Sequence, residues 1–454
     1  MTIESVNPAT GERLARFDAA TETDLERALA EAAEGFAAWS VTPLAERTRR
    51  VGAMAEVLRG QKDRLAGLIT REMGKLREEA RGEIDKCAWV CEYYALNAAA
   101  FLADEPIETD ASTSYVGFQP LGTILAIMPW NFPFWQLFRC AVPAVTAGNT
   151  LILKHASNVP QCALAIEEVF REAGFPEGVF QSVLARAQQI GPMIADDRVQ
   201  GISLTGSEAA GRKVAEVAGR HVKKCVLELG GSDPCVVLAD ADLDAAARVA
   251  AQSRMINGGQ SCIAAKRFIV VEAVAEDFVA RFRQHIESLA PGDPAAESTT
   301  LAPLARADLR TDLDAQVQGS LVQGARLVTG GHPLDRPGFF YAPTLLDSVM
   351  PGMPAFDEEV FGPAAAVIRA HDEAEALRLA NASRYGLGGS VWSGDRERGE
   401  RFARAMACGC AAVNGLVKSD PRLPFGGIKA SGYGRELSML GIREFVNAKS
   451  VWIA

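Results

Sequence analysis

From Leu121 onward the chain alternates short apolar runs with segments of helical length, and this alternation limits the fold more than any other feature. The runs 124–128, 150–153, 179–184 and 201–204 are separated by helix-length stretches such as 161–173 and 208–217. Parallel strands with crossover helices give this texture, because a strand covered on both faces is apolar throughout while its helix keeps one wet side. A second set repeats the pattern, with strands expected at 235–238, 268–271, 326–329 and 364–369 and helices at 243–255, 274–289 and 309–323. Two α/β units are therefore expected, meeting near residues 228–233. At about 150 residues per domain, 454 residues leave room for a third element. The first hundred residues read as helical, over 22–39, 44–60 and 63–94, with few strands. Two polar, β-prone pieces, 109–119 and 447–454, belong to neither core, and such segments often pair across subunits at an exposed sheet edge.

Charge and cysteine usage narrow the function. Lys and Arg number 47 against 57 Asp and Glu, a net charge of −10, which offers no field for a phosphate backbone; nucleic acid is not an expected partner. No apolar run reaches the length of a membrane span, and the start Met1-Thr2-Ile3-Glu4-Ser5 lacks a targeting pattern, so a cytoplasmic location is expected. Nine scattered cysteines without CxxC pairs suit reduced thiols. The five histidines stand apart with no metal-ligand spacing, and no metal is expected.

Nucleotide loops of the common kinds are absent. Gly386-Leu387-Gly388-Gly389 begins a GxGxxG and lacks its last glycine, and Gly206 to Gly211 is followed by Arg212-Lys213 where a phosphate loop needs Lys-Ser or Lys-Thr. Leu204-Thr205-Gly206-Ser207 remains as a strand end entering a helix, where free N–H groups suit a phosphate. Asn257-Gly258-Gly259-Gln260-Ser261-Cys262 describes a glycine turn that either presents a reactive thiol or ends a helix on a buried cysteine. Val226-Leu227-Glu228-Leu229-Gly230-Gly231 places one carboxylate in an apolar run, either for a chemical task or paired with Lys223 or Lys224. Pro129-Trp130-Asn131-Phe132-Pro133 holds an amide that could serve an oxyanion or cap the next helix.

Together with Leu153-Lys154, Glu359-Val360-Phe361-Gly362-Pro363 and the run from Pro424 to Gly432, these motifs resemble the aldehyde dehydrogenase superfamily, in order, over nearly the whole chain. Asn131 to Gln136, Cys262 to Arg267 and Ser419 to Arg422 look most like its short bacterial succinate-semialdehyde dehydrogenases. The resemblance implies a Rossmann-like cofactor domain over 1–108 and 120–229 and an α/β catalytic domain over 230–435. It adds a small β oligomerisation arm over 109–119 and 436–454, and a homodimer or homotetramer.

The resemblance also implies the chemistry. The Cys262 thiolate would add to an aldehyde carbonyl, and the oxyanion would rest on the Asn131 amide and the Cys262 N–H. After hydride transfer to NADP or NAD, Glu228 would activate the water that hydrolyses the thioester. Trp130, Lys154, Gly206, Ser207, Glu359 and Phe361 would hold the cofactor. Strictly NAD-dependent members often carry a Glu where this chain has Ser157, so NADP is accepted beside or ahead of NAD, and the adjacent His155 could favour its phosphate.

For the substrate, Arg139 resembles the arginine that grips the distal carboxylate of succinate semialdehyde, with Trp135 and Gln136 narrowing the pocket and Lys418, Ser419 or Arg422 contributing from the loop before Pro424. Some members have a second arginine where this chain has Ile256, which leaves the clamp different or incomplete. Alternatives are glutarate semialdehyde or a neutral aldehyde as substrate, a CoA-acylating relative, which Glu228 argues against, and a non-catalytic structural protein, which Asn131, Glu228 and Cys262 together argue against.

Overall fold

Residues 2–454 are described by a computed structural model, in which two parallel sheets follow one another along the chain. The first has six strands in the spatial order Gly432–Tyr433, Lys224–Glu228, Val199–Thr205, Thr123–Met128, Thr150–His155 and Phe180–Ser182. The chain enters at Thr123–Met128, winds outward to Phe180–Ser182, then returns to lay Val199–Thr205 on the opposite side of the entry strand. Helices on either side of such a reversal diverge and leave a crevice past the carboxyl ends of the two central strands. Here those ends run into Pro129-Trp130-Asn131 and Gly206-Ser207.

The second sheet has seven strands, ordered Arg326–Thr329, Thr344–Asp347, Ala364–Ala370, Arg267–Val271, Pro234–Val237, Gly388–Trp392 and Cys410–Val413, parallel except at its first edge. Its central residues Val236, Ile269 and Val391 have no exposed surface, and burying side chains of this size stabilises by about 1.5–3 kcal/mol each. The polar segments outside both cores pair with one another in the same chain. Val446–Ile453 runs antiparallel to Thr113–Pro120 from Val446 opposite Pro120 to Ile453 opposite Thr113, with Glu105–Pro106 on the far side.

The helix Trp135–Ala147 joins the crevice to the core. All its residues are buried, and its start is capped by Glu83, whose Oε1 accepts from the N–H groups of Phe134 and Trp135 at 2.9 and 3.0 Å. Glu83 comes from the long helix Arg77–Phe101 and is also paired with the buried Lys75. An acid at a helix N-terminus meets unbonded N–H groups and the positive end of the dipole, so this cap also sets where Trp135 and Gln136 point.

At four places the fold differs from, or adds to, what the sequence predicts. The helical span 63–94 breaks into Lys62–Met73 and Arg77–Phe101, because Gly74 takes φ +85 and ends the first helix. The first hundred residues contain a hairpin, Thr2–Val6 with Arg13–Asp18. Gly388–Trp392 and Cys410–Val413 are strands that small residues concealed, since Gly and Ala carry little hydrophobic signal. Finally, Gly432–Tyr433 returns to the first sheet beside Leu227 and Glu228, so the chain from 230 to 435 does not stay in the second.

Candidate active site

Cys262 follows a turn that only this kind of sequence can make. Asn257, Gly258 and Gly259 take φ of 55, 62 and 77, three left-handed residues in succession, and a Cβ on Gly259 would lie 2.1 Å from the Gly362 carbonyl oxygen. Side chains then lock the turn. Asn131 Nδ2 donates to the Gln260 carbonyl at 3.0 Å, and Asn257 Nδ2 donates to the carbonyls of Asn131 and Gln260 at 2.8 and 3.1 Å. The two motifs are thus tied together directly. Beyond the turn, Lys266 Nζ donates to the carbonyls of Ser261, Cys262 and Ala264 at 2.9, 2.7 and 3.0 Å. Gln260 Nε2 donates to the carbonyls of Asn257 and Pro303 at 3.0 and 3.2 Å, while its Oε1 accepts from the Ala305 N–H at 2.8 Å. Sequence reasoning assigned no part to Lys266, Gln260 or Asn257; the available signal was three polar residues packed around a glycine turn.

Glu228 ends its strand 2% exposed and next to Cys262. Its Oε2 accepts from Arg139 Nη2 at 3.3 Å, and its Oε1 has no hydrogen-bond partner, which leaves one carboxylate oxygen available to a thiol or a water. Burial, then the Glu228 charge, raise the Cys262 thiol well above its ordinary range, with Arg139 acting in the opposite direction. A protonated thiol thus lies beside a carboxylate oxygen that has no other hydrogen-bond partner, an arrangement that could transfer the thiol proton to the carboxylate.

Arg139, which lines one of the cavities at Cys262, has internal partners. Besides Glu228, its Nε lies 2.8 Å from Glu436 Oε2, and its guanidinium stacks over the Phe425 ring at 4.6 Å. At 2% exposure a guanidinium needs counter-charges of its own, and both of these are internal. Burial pushes Glu436 up to about 7 although Arg139 opposes the shift. Arg422, expected to contribute to the substrate site, lies outside that cavity. It is mostly exposed, pairs with Asp420 at 2.7 Å and lies over Trp89. His155 is buried against the Pro133 carbonyl at 2.9 Å, and burial pushes it down to about 4, so it is neutral near pH 7 and supplies no charge for a phosphate.

Two cavities meet at Cys262. One, of about 410 Å³, is walled by Phe132, Trp135, Ile256, Ile263 and Phe425, with Lys86, Arg139 and Ser419 among its polar groups. The other, of about 350 Å³, lies in the crevice and contains Trp130, Asn131, Gly206, Ser207, Glu228, Glu359 and Phe361. Gln136 lines both, and its Oε1 has no partner.

The crevice fits a nicotinamide dinucleotide. Ser207 caps the helix Glu208–Arg220 through its Oγ, which accepts from the Ala210 N–H at 3.3 Å, and that helix start faces the cavity as an anion site. Glu359 Oε1 accepts from the Gly231 N–H at 2.9 Å, and a Cβ at Gly230 would lie 2.4 Å from Glu359 Oε2, which explains the glycine pair after Glu228. Trp130 meets Phe361 edge to face at 5.8 Å. A further cavity of about 590 Å³ is lined by Lys154, the exposed Ser157 and Arg186. Glu4 is its lining carboxylate among the described residues and is paired with Arg13 at 3.2 Å. Among the described residues no group of three or more His, Cys, Asp or Glu could hold a metal ion, and no helix is long and apolar enough to cross a membrane.

Comparison with known proteins gives the same frame. The sequence profile of the aldehyde dehydrogenase family matches residues 1–451. A protein of Synechocystis sp. named as a probable NADP+ succinate-semialdehyde dehydrogenase is 50% identical over 454 residues, covering 100% of both chains. The NADP+ succinate-semialdehyde dehydrogenase 1 of Mycobacterium bovis is 48% identical over 457 residues, again covering 100% of both. The crystal structure of succinic semialdehyde dehydrogenase from Streptococcus pyogenes in complex with NADP+ superposes with a TM-score of 0.97 at 40% identity, covering 99% of each chain. Sequence, fold and the Cys262 site agree, and the chain belongs to the aldehyde dehydrogenase family.

Proposed function

We propose that this chain oxidises succinate semialdehyde to the dicarboxylic acid with NADP+, by nucleophilic catalysis at Cys262. The observation that carries the reading is the meeting of an apolar and a crevice cavity at one thiol, with Glu228 and Asn131 beside it. Its relatives' names supply the substrate and the cofactor.

In the proposed sequence, Glu228 takes the thiol proton and Cys262 adds to the carbonyl carbon. The oxyanion rests on Asn131 Nδ2, which exchanges its bond to Gln260 for the stronger acceptor, and on the Cys262 N–H. Bound NADP+ would supply the hydride acceptor, and loss of hydride from the carbon held by Cys262 would leave a thioester on the thiol. Glu228, after passing the first proton to solvent, accepts the proton of the water that adds to the thioester carbon. The C–S bond then breaks, releasing the acid and the Cys262 thiolate, and Arg139, between Glu228 and Glu436, keeps the Glu228 carboxylate in place. Lys154, Ser207, Glu359, Phe361 and Trp130 would hold the cofactor. Ser157 puts a neutral hydroxyl where a carboxylate would repel a ribose phosphate. The strands Thr113–Pro120 and Val446–Ile453, with Trp452 58% exposed, form the arm through which copies associate as dimers or tetramers.

The test compares succinate semialdehyde with butyraldehyde, each with NADP+ and NAD+, by absorbance of reduced cofactor. The expected result is a kcat/KM advantage of about tenfold or more for the acid, ~1.4 kcal/mol, and faster turnover with NADP+. Equal rates for the two aldehydes would move the substrate to a neutral compound.

A further inference from the structure

Most charged groups around the 410 Å³ cavity have partners within the protein, and the exposed Lys418 also lines it without a carboxylate partner among the described residues. Glu83 is bonded to Lys75 and to the Phe134 and Trp135 amides, Arg139 lies between Glu228 and Glu436, and Asp420 is paired with Arg422. Glu79 accepts from the Asn257 N–H at 2.9 Å. Besides Lys418, Lys86 remains. It projects from the helix Arg77–Phe101, half buried in the cavity wall, and no carboxylate of the described residues forms an ion pair with it. Its Nζ donates to Ser419 Oγ at 2.8 Å and lies 4.3 Å from the centre of the Trp135 ring. An ammonium has three N–H donors, and these contacts occupy one of them and one face of the group.

Ser419 is set up to complete the site. Its Oγ also accepts from Trp135 Nε1 at 3.0 Å, so both lone pairs of the hydroxyl are used and its proton has no acceptor among the described residues. A cation with free N–H groups and a hydroxyl with a free proton converge where an otherwise apolar cavity turns polar. Ile256, in the same wall, brings no charge.

We infer that Lys86, together with the Ser419 hydroxyl, anchors the distal carboxylate of a short ω-oxo acid, and that Arg139 serves Glu228 instead. The inference rests on the substrate reading above. Phe132, Trp135 and Phe425 suit the methylenes between the carboxylate and the aldehyde carbon that reaches Cys262.

The groups around Lys86 set the pH at which the anchor works. Burial, and next the charge of Arg139 on the neighbouring helix, lower its ammonium to about 8, against the opposing pull of Cys87 and Glu83 on its own helix and Asp420 on the loop. Below that pH the anchor is charged, and the charge is lost as pH rises through it.

The readout is the ratio of kcat/KM for succinate semialdehyde to that for butyraldehyde, since the chemistry at Cys262 is common to both and cancels. In the wild type this ratio is expected to exceed unity and to fall as pH rises from about 7 to about 9.5. Lys86→Met is expected to lower it at least tenfold at pH 7, through KM for the acid. Lys86→Arg, charged throughout, is expected to keep most of the preference and to hold it level over the same pH range. NADP+ binding and a thermal melt of each variant separate loss of the anchor from loss of the fold. A wild-type preference that persists in Lys86→Met, or that stays level with pH, overturns the inference and leaves the substrate reading intact. A wild type with no preference for the acid overturns both. If Lys86→Met does not fold, the wild-type pH profile and Lys86→Arg still decide.

Discussion

The two cavities that meet at Cys262 are built in opposite ways. Most of the crevice cavity is made of strand ends and the turns that follow them, Met128 into Trp130 and Asn131, Thr205 into Gly206 and Ser207, Glu228 into Gly230, with Arg306, Glu359 and Phe361 added from further along the chain. Each of these three strand ends is contiguous in sequence, and glycines permit the close approaches. The apolar cavity takes single side chains from separate places: Lys86 from one helix, Trp135 and Arg139 from another, Ile256 beside the nucleophile turn, Ser419 from a loop. A site made by backbone geometry leaves a motif in the sequence, whereas a site made by side chains converging from distant elements leaves isolated residues whose roles depend on their neighbours.

Substitutions can break or sharpen this contrast. Cys262→Ala removes the group both cavities share; turnover is expected to disappear while NADP+ binding, measured by titration, stays near the wild-type value. Glu228→Gln is expected to cut steady-state turnover by about 10²–10⁴-fold while a rapid-mixing experiment still records one burst of reduced cofactor. Normal turnover would remove Glu228 as the base.

Arg139→Met tests which side the arginine serves. Removing it leaves Glu228 and Glu436 buried without their counter-charge, a change expected to cost about 3–5 kcal/mol of stability in a melt or denaturant titration. It should lower kcat/KM for succinate semialdehyde and butyraldehyde by a similar factor, and a selective loss with the acid would return Arg139 to the carboxylate. The smallest effect is expected at the rim of the cofactor side. Ser157→Glu should shift the NADP+ to NAD+ ratio of kcat/KM toward NAD+ by about tenfold, ~1.4 kcal/mol, and an unchanged ratio would show that position 157 does not face the ribose phosphate.

Legibility followed the same division. The helices Glu22–Trp39, Leu44–Gly60 and Leu243–Met255 match the spans that periodicity predicts, because their apolar residues repeat at helical spacing. Gly74 escaped because a single left-handed residue does not interrupt the pattern around it. Arg139 was read as a substrate anchor from its position after Trp130, and its two partners, Glu228 and Glu436, lie 89 and 297 positions further along the chain. His155 looked like a cation until burial decided its protonation.

What the sequence determined by itself was the order of the units, the nucleophile turn with its three residues at positive φ, and the cofactor crevice, because all of these rest on local backbone preferences and on apolar periodicity. Tertiary structure alone decided the electrostatics. Which of the buried charges neutralise one another, and which one is left facing the cavity, depends on distances between elements that the chain brings together only when it folds.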